Sequence, residues 1–241
     1  MDSDPTPLRI WRSNVRDGKA VLLELGPSCK GLQLPPSAPD LHLHASPPCV
    51  VFSRARANSA TSCELKIGTA QIRWFLDLVV SRREFSWSME NVNVPAVRNV
   101  LAEYTSKHPN LVRFAVFDAA TFGSPQNRQR VIAGPPALIR KLQETPVERR
   151  VCVREAFEHA GQTPASDHFK NNTTNRDNAA CTRSTEECAF TVCAGHALTW
   201  STRDGNTVSV MTSRESAILM GFPKDWRLPS GSRASQKAVG T

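Results

Sequence analysis

FSWSMENVNVPAVRNVLAEY, residues 85–104, changes period in its middle. Phe85, Trp87 and Met89 alternate with Ser86, Ser88 and Glu90, the two-residue repeat of a strand with one apolar face. Pro95 then suits the first turn of a helix, and Val97, Val100, Leu101 and Tyr104 recur at helical spacing. The flanks continue the alternation. Upstream, Ile72, Phe75, Leu76 and Val79 mark one face of a helix, while residues 41–45 and 20–25 read as short strands. Downstream, Val112, Phe114 and Val116 alternate as a strand, residues 130–133 predict another, and residues 136–144 predict a helix. Strands alternating with helices of this length predict an α/β fold with a doubly wound, mostly parallel sheet.

The rest of the chain is less regular. The first 19 residues give no assignment, and residues 26–39 form a Gly-, Pro- and Ser-rich loop. From about residue 147 the apolar periodicity fades, and residues 170–183 read as a long polar loop. Thr207–Val210 suggests a strand, followed by Ser213 as an N-cap, a short helix over 214–220 and Gly221 as its stop. Three parts result: a core over 1–146, a polar insertion over 147–206 and a return to the core over 207–241.

With 241 residues, 40% of them hydrophobic, the chain is long enough to bury a sizeable core. No apolar run is long enough to span a bilayer and no leader pattern is evident, so membrane and secreted readings are set aside. Seven scattered cysteines favour reduced thiols inside the cell over a disulfide framework. The formal charge of +8, from 30 Lys+Arg against 22 Asp+Glu, favours a polyanionic partner.

Four segments carry candidate chemistry. Ser46-Pro47-Pro48-Cys49 sets a thiol on a rigid turn directly after a strand, at the sheet edge where open α/β folds place their sites. A small buried cysteine is the bland alternative. Glu90-Asn91-Val92 ends a strand with a carboxylate, either a functional acid or an ordinary loop residue. In Gln126-Asn127-Arg128-Gln129-Arg130, strand alternation would put Gln126, Arg128 and Arg130 on one face, a grip for a polar planar ligand or a solvated charged edge. Arg214-Glu215 with Gly221-Phe222-Pro223 reads mainly as packing. Cys181, Cys188, Cys193 and His196 lack the tight CxxC spacing of a zinc site, so no metal is expected.

Taken together and in this order, with Phe52-Ser53 after the thiol, these segments resemble the cytosine-5 DNA methyltransferases. The resemblance runs from about residue 40 to the C-terminus and is weakest at 147–187. It implies the S-adenosylmethionine-dependent methyltransferase type of fold, with residues 147–206 as a target-recognition insertion. It also implies double-stranded DNA as partner and S-adenosyl-L-methionine as cosubstrate. By this resemblance Cys49 would attack C6 of a flipped cytosine and Glu90 would engage N3 and the exocyclic amine. Arg130 would hold O2, with Arg128 and Gln126 shaping the same pocket. Pro47, Pro48, Ser53, Asn91 and Val92 would line the substrate site, and Asn171, Asn172, Asn175 and Arg176 would touch base edges or phosphates, with a solvated loop as the bland alternative.

The residue types suit that chemistry. A thiol needs an electropositive site to become a good nucleophile, a cytosine ring needs an acid at N3, and a duplex must release the base for either to act. The sequence departs from the family pattern at both ends. The family's Phe-x-Gly-x-Gly loop is not found, leaving Glu24 as a weak candidate cofactor contact, and the closing motif stops at Thr241. These departures set three readings beside the enzyme: a fragment, a chain completed by a partner, or a degenerate relative that binds DNA without methylating it. A tRNA cytosine-5 methyltransferase is a further variant.

Overall fold

The computed structural model describes residues 1–2, 4–30, 32–34, 36, 41–49, 52, 62–145, 149–171, 181–193 and 198–229. In chain order the elements are α1 (Pro5–Asn14), β1 (His42–Ala45), α2 (Ser62–Ser81), β2 (Ser86–Val92), α3 (Pro95–Lys107) and β3 (Arg113–Asp118). They continue with β4 (Gln129–Gly134), α4 (Pro136–Gln143), α5 (Val153–His159), β5 (His168–Asn171), β6 (Thr182–Ser184), β7 (Leu198–Ser201), β8 (Thr207–Val210) and α6 (Ser213–Leu219). The chain divides into two compact units. The first comprises 1–3, 23–117 and 129–146, and the second 4–22, 118–128 and 147–241.

The first unit holds a four-stranded sheet in the order β1-β2-β4-β3. Strands β1 and β2 run parallel, with Ala45 opposite Met89, whereas β4 runs antiparallel to β2, with Glu90 opposite Ile132 and Val92 opposite Arg130. The expected α/β architecture is present, and the sheet is mixed rather than mostly parallel. The short link of residues 119–128 between β3 and β4 is the reason: it holds only a 3-10 turn (Ala119–Phe122) and cannot make the long crossover a parallel return needs. Trp87 and Met89 from β2, with Val131 and Ala133 from β4, bury one face against Ile72, Phe75, Leu76 and Val79 of α2 and Val97, Val100 and Leu101 of α3. These are the helix positions that the sequence spacing marks. Gly134 meets α4 closely, since a Cβ there would sit 2.8 Å from Leu138 Cδ2.

The second unit is built on an antiparallel sheet in the order β6-β5-β7-β8. Its core is aromatic: Trp200 stands edge-on to both Phe157 and Phe169, at centroid distances of 5.4 and 6.4 Å. Trp200 Nε1 donates to Glu215 Oε1 at 2.9 Å, and Glu215 also closes a capping box with Thr212 at the start of α6. The N-cap is therefore Thr212, one residue before the expected Ser213. The polar stretch 170–183 expected as a loop takes in the end of β5 and the start of β6, and residues 172–180 lie outside the described ones. Helix α1 also belongs to this unit, capped by Asp4, whose Oδ1 accepts from the Thr6 N–H at 2.8 Å. Asn14 exchanges two hydrogen bonds with the Arg227 backbone, and Trp11 crowds Gly18 so closely that a Cβ there would lie 1.8 Å from its ring.

One expected strand is absent. Residues 20–25 form no strand beyond a single bridge residue at Leu22, which is 58% exposed. The Leu23 N–H donates to the Asp2 carbonyl at 2.9 Å.

Trp200→Ala, which empties the centre of the second unit's core, is expected to lower stability by about 3–5 kcal/mol. Urea unfolding followed by circular dichroism checks this, with the midpoint moving and the far-UV spectrum of the folded form retained.

Candidate active site

Parallel pairing of β1 with β2 sends the carboxyl ends of both strands to one edge of the first unit's sheet. Because Ala45 faces Met89, the next residues, Ser46 and Glu90, come side by side. Ser46 Oγ donates to Glu90 Oε2 at 2.6 Å. Arg130, from the antiparallel neighbour β4, forms an ion pair through Nε with Glu90 Oε1 at 2.7 Å. Both oxygens of the carboxylate are therefore engaged, one by a hydroxyl from the thiol-bearing loop and one by a guanidinium. The Arg130 and Glu90 side chains are 18% and 26% exposed, so the pair is shielded yet reachable. Arg130 Nη1 donates to the Gln129 carbonyl at 2.8 Å, and Nη2 has no hydrogen-bond partner among the described residues.

The thiol loop is tied to β2 a second time. Asn91 is 1% exposed, and its Nδ2 donates to the Pro47 carbonyl at 3.0 Å. Its Oδ1 accepts from the Val92 N–H at 2.9 Å. Asn91 thus holds the loop in place from beneath. Cys49 is half-buried, and its carbonyl accepts from the N–H of buried Phe52 at 2.9 Å. Pro47 is half-buried and Pro48 exposed. Ser53 lies outside the described residues.

The first unit therefore gathers Cys49, Glu90, Asn91 and Arg130 of the expected residues at one edge, and adds Ser46. Nothing in the local pattern singles out Ser46, because its place beside Glu90 follows from strand register, which a single sequence does not reveal.

Gln126 and Arg128 belong to the second unit. The expected common face of Gln126, Arg128 and Arg130 does not form, because the strand begins only at Gln129 and alternation does not extend to the residues before it. Gln126 is 2% exposed; its Nε2 donates to the Leu219 carbonyl at 2.9 Å and its Oε1 accepts from the Val192 N–H at 3.1 Å. Arg128 Nη1 donates to the Val192 carbonyl at 3.0 Å, and its own N–H donates to Asp118 Oδ1 at 2.9 Å. Both side chains bond the Val192 backbone. Asn171 ends β5, while Asn172, Asn175, Arg176 and His196 lie outside the described residues.

Upstream of the clasp, His42 and His44 of β1 face Ser86 and Ser88 of β2. The His42 ring nitrogens lie 2.9 Å from Ser86 Oγ and 2.7 Å from Ser88 Oγ, and His44 Nδ1 lies 2.8 Å from Ser88 Oγ. Burial pushes the His44 imidazole below its usual pKa; neighbouring Glu90 opposes that shift and His42 adds to it.

The described residues show no cradle for S-adenosyl-L-methionine. The described residues before β1 form no strand followed by a glycine-rich turn, and Glu24 stands exposed on coil. At Gly26 the nearest atom to an added Cβ, Gln71 Cγ, is 3.7 Å away, so no backbone presses close there. Among the described residues, no group of three or more His, Cys, Asp or Glu side chains is gathered as a metal site, and no helix is long and apolar enough to cross a membrane.

No protein-family model and no curated protein matches the sequence. Solved structures do. A protein described as a candidate DNA modification methyltransferase encoded within a prophage (E. coli) aligns at a TM-score of 0.50 and 14% identity, over 83% of this chain and 73% of that one. The Dnmt2 methyltransferase of S. pombe aligns at a TM-score of 0.46 and 15% identity, over 83% and 72%. The first likeness shows the fold: this chain has an α/β architecture of the methyltransferase type.

A histidine with a depressed pKa binds a proton more readily in the unfolded chain. His44 therefore contributes stability that is complete above about pH 6.5 and declines as pH falls through the lowered folded-state value. The thermal midpoint is expected to fall between pH 7 and pH 5, and His44→Asn is expected to flatten that fall.

Proposed function

We propose that the chain acts on cytosine in double-stranded DNA as a cytosine-5 methyltransferase-type protein, with Cys49 as the nucleophile. One observation carries the reading: a half-buried thiol and a carboxylate clasped by a guanidinium share a sheet edge, the set needed to add a nucleophile to a pyrimidine ring. The fold of the methyltransferase type supports it.

In this reading the base leaves the duplex and presents its Watson–Crick edge to Glu90. Cys49 Sγ, as thiolate, forms a bond to C6 while the C5–C6 π pair moves toward C5 and the ring. Glu90 supplies hydrogen bonding or a proton at N3 and accepts from the exocyclic amine. Arg130 Nη2, unpartnered among the described residues, takes O2. C5, now electron-rich, bonds to an electrophile (a proton from water when no methyl donor is bound). Water then removes a hydrogen from C5 as a proton, and the C–H pair re-forms the C5–C6 double bond and expels the thiolate. Pro47 and Pro48 stiffen the loop behind Cys49, and Asn91 fixes its height over β2. Gln126 and Arg128 act in the second unit by holding the Val192 backbone. The family resemblance names S-adenosyl-L-methionine as the methyl source. The described residues do not fit it, and no step above depends on it. The net charge of +8 suits a DNA backbone, and binding should weaken steeply with salt.

A duplex containing 2-pyrimidinone at the target position tests the nucleophile without a methyl donor, because its C6 accepts a thiolate directly. A denaturation-resistant adduct is expected, absent in Cys49→Ala and formed about 100-fold or more slowly in Glu90→Gln, whose amide cannot supply the N3 proton. Gel mobility under denaturing conditions reads it, and a Cys49→Ala protein that still cross-links would remove the assignment.

A further inference from the structure

We infer that Ser46 is a positioning residue that sets Glu90 and the Cys49 loop against each other; the inference rests on the reaction proposed above. Glu90 has two oxygens and two charge-assisted contacts, but the two donors are not equivalent. Arg130 comes from a neighbouring strand of the same sheet and approaches Oε1 with a permanent charge. Ser46 comes from the loop that carries the nucleophile and approaches Oε2 with a single rotatable proton at 2.6 Å.

A cytosine edge meeting Glu90 needs an oxygen that can face its N3 and exocyclic amine. Arg130 remains bound on Oε1, so the base takes the place of the Ser46 hydroxyl at Oε2. A hydroxyl can turn away without leaving a buried charge behind, which a second guanidinium in its position could not do. Before that exchange the Ser46 bond fixes the Glu90 rotamer and restrains the three-residue step from Ser46 to Cys49. Asn91 holds the same step at the Pro47 carbonyl, so the loop is tied at two consecutive residues. Ser46 precedes a proline, which confines it to extended backbone, and this is the conformation that continues β1 and aims its side chain toward β2. The Ser46 residue is exposed, so a threonine can be accommodated there with its hydroxyl kept.

The test compares the full chain as wild type, Ser46→Ala and Ser46→Thr with two readouts. The first needs no nucleic acid. Iodoacetamide modification is timed cysteine by cysteine by peptide mass spectrometry, the other cysteines reporting any general loosening. Cys49 in Ser46→Ala is expected to react about fivefold faster, the size of effect one lost hydrogen bond gives, with the other cysteines unchanged and Ser46→Thr near wild type. The second is adduct formation with the 2-pyrimidinone duplex. The rate at saturating duplex is expected to fall about tenfold in Ser46→Ala, with the half-saturating concentration unchanged and Ser46→Thr restoring the rate.

Equal Cys49 labelling in all three proteins overturns the inference. So does a wild-type adduct whose rate Ser46→Ala leaves unaltered. If the labelling contrast holds while wild type forms no adduct, the reaction reading fails and the role of Ser46 in it falls too, leaving only the structural tie. General acceleration of every cysteine in Ser46→Ala shifts the decision to Ser46→Thr, which must then match wild type in both readouts for the inference to stand.

Discussion

The register of β2 between its two neighbours is the constraint on which the first unit's site depends. Parallel pairing with β1 brings Ser46 beside Glu90, and antiparallel pairing with β4 brings Arg130 to the other side of the same carboxylate. The thiol loop needs no separate means of approach, because it is the continuation of β1 past the point where pairing ends. A parallel pair delivers two strand ends to one edge by construction, whereas an antiparallel pair would have put the thiol and the carboxylate at opposite ends of the sheet.

Two buried amides perform the corresponding work inside each unit. Asn91 and Gln126 are 1% and 2% exposed, and each donates its amide to a backbone carbonyl distant in sequence. Asn91 pins the Pro47 carbonyl, while Gln126 joins Leu219 to Val192. A side-chain amide can donate and accept at once, so one residue satisfies two backbone groups that the irregular chain would otherwise leave bare. The cost of removing either partner would be large for the same reason: the orphaned group stays buried.

How far the sequence could be read follows the strength of its periodicity. Helices α2 and α3 and strand β2 were legible because each repeats its apolar residues over several turns or alternations, and the core uses those residues. Helix α1 carries a start signal in Asp4-Pro5, yet Leu8 is its only buried residue, too thin a stripe to read. The end of strand β5 lies inside the stretch 170–183 that reads as loop, because Phe169 and Lys170 are both buried and break the alternation of a strand with one apolar face. The lysine manages this by donating Nζ to the Gly205 carbonyl at 2.7 Å, a partnership no local pattern announces. At the site, Cys49, Glu90 and Arg130 were legible by motif, whereas Ser46 depends on register. The supposed common face of Gln126, Arg128 and Arg130 failed because alternation was carried three residues beyond the strand that justifies it.

Core and site share a single strand, and that sharing has a consequence. Along β2, Trp87, Met89 and Asn91 point to the buried side while Ser86, Ser88 and Glu90 point away from it. A shift of one residue in pairing would exchange the sets, forcing Glu90 into the cluster now filled by Ile72, Leu76 and Val131 and presenting Met89 to Arg130. Burying an unpaired carboxylate among apolar side chains is far more costly than any contact such a slip could gain. The hydrophobic effect that selects the fold therefore also selects the arrangement of the candidate site. Glu90 reaches Arg130 and Ser46 in the same register that buries Trp87 and Met89, so forces acting on the core hold the carboxylate where chemistry would need it.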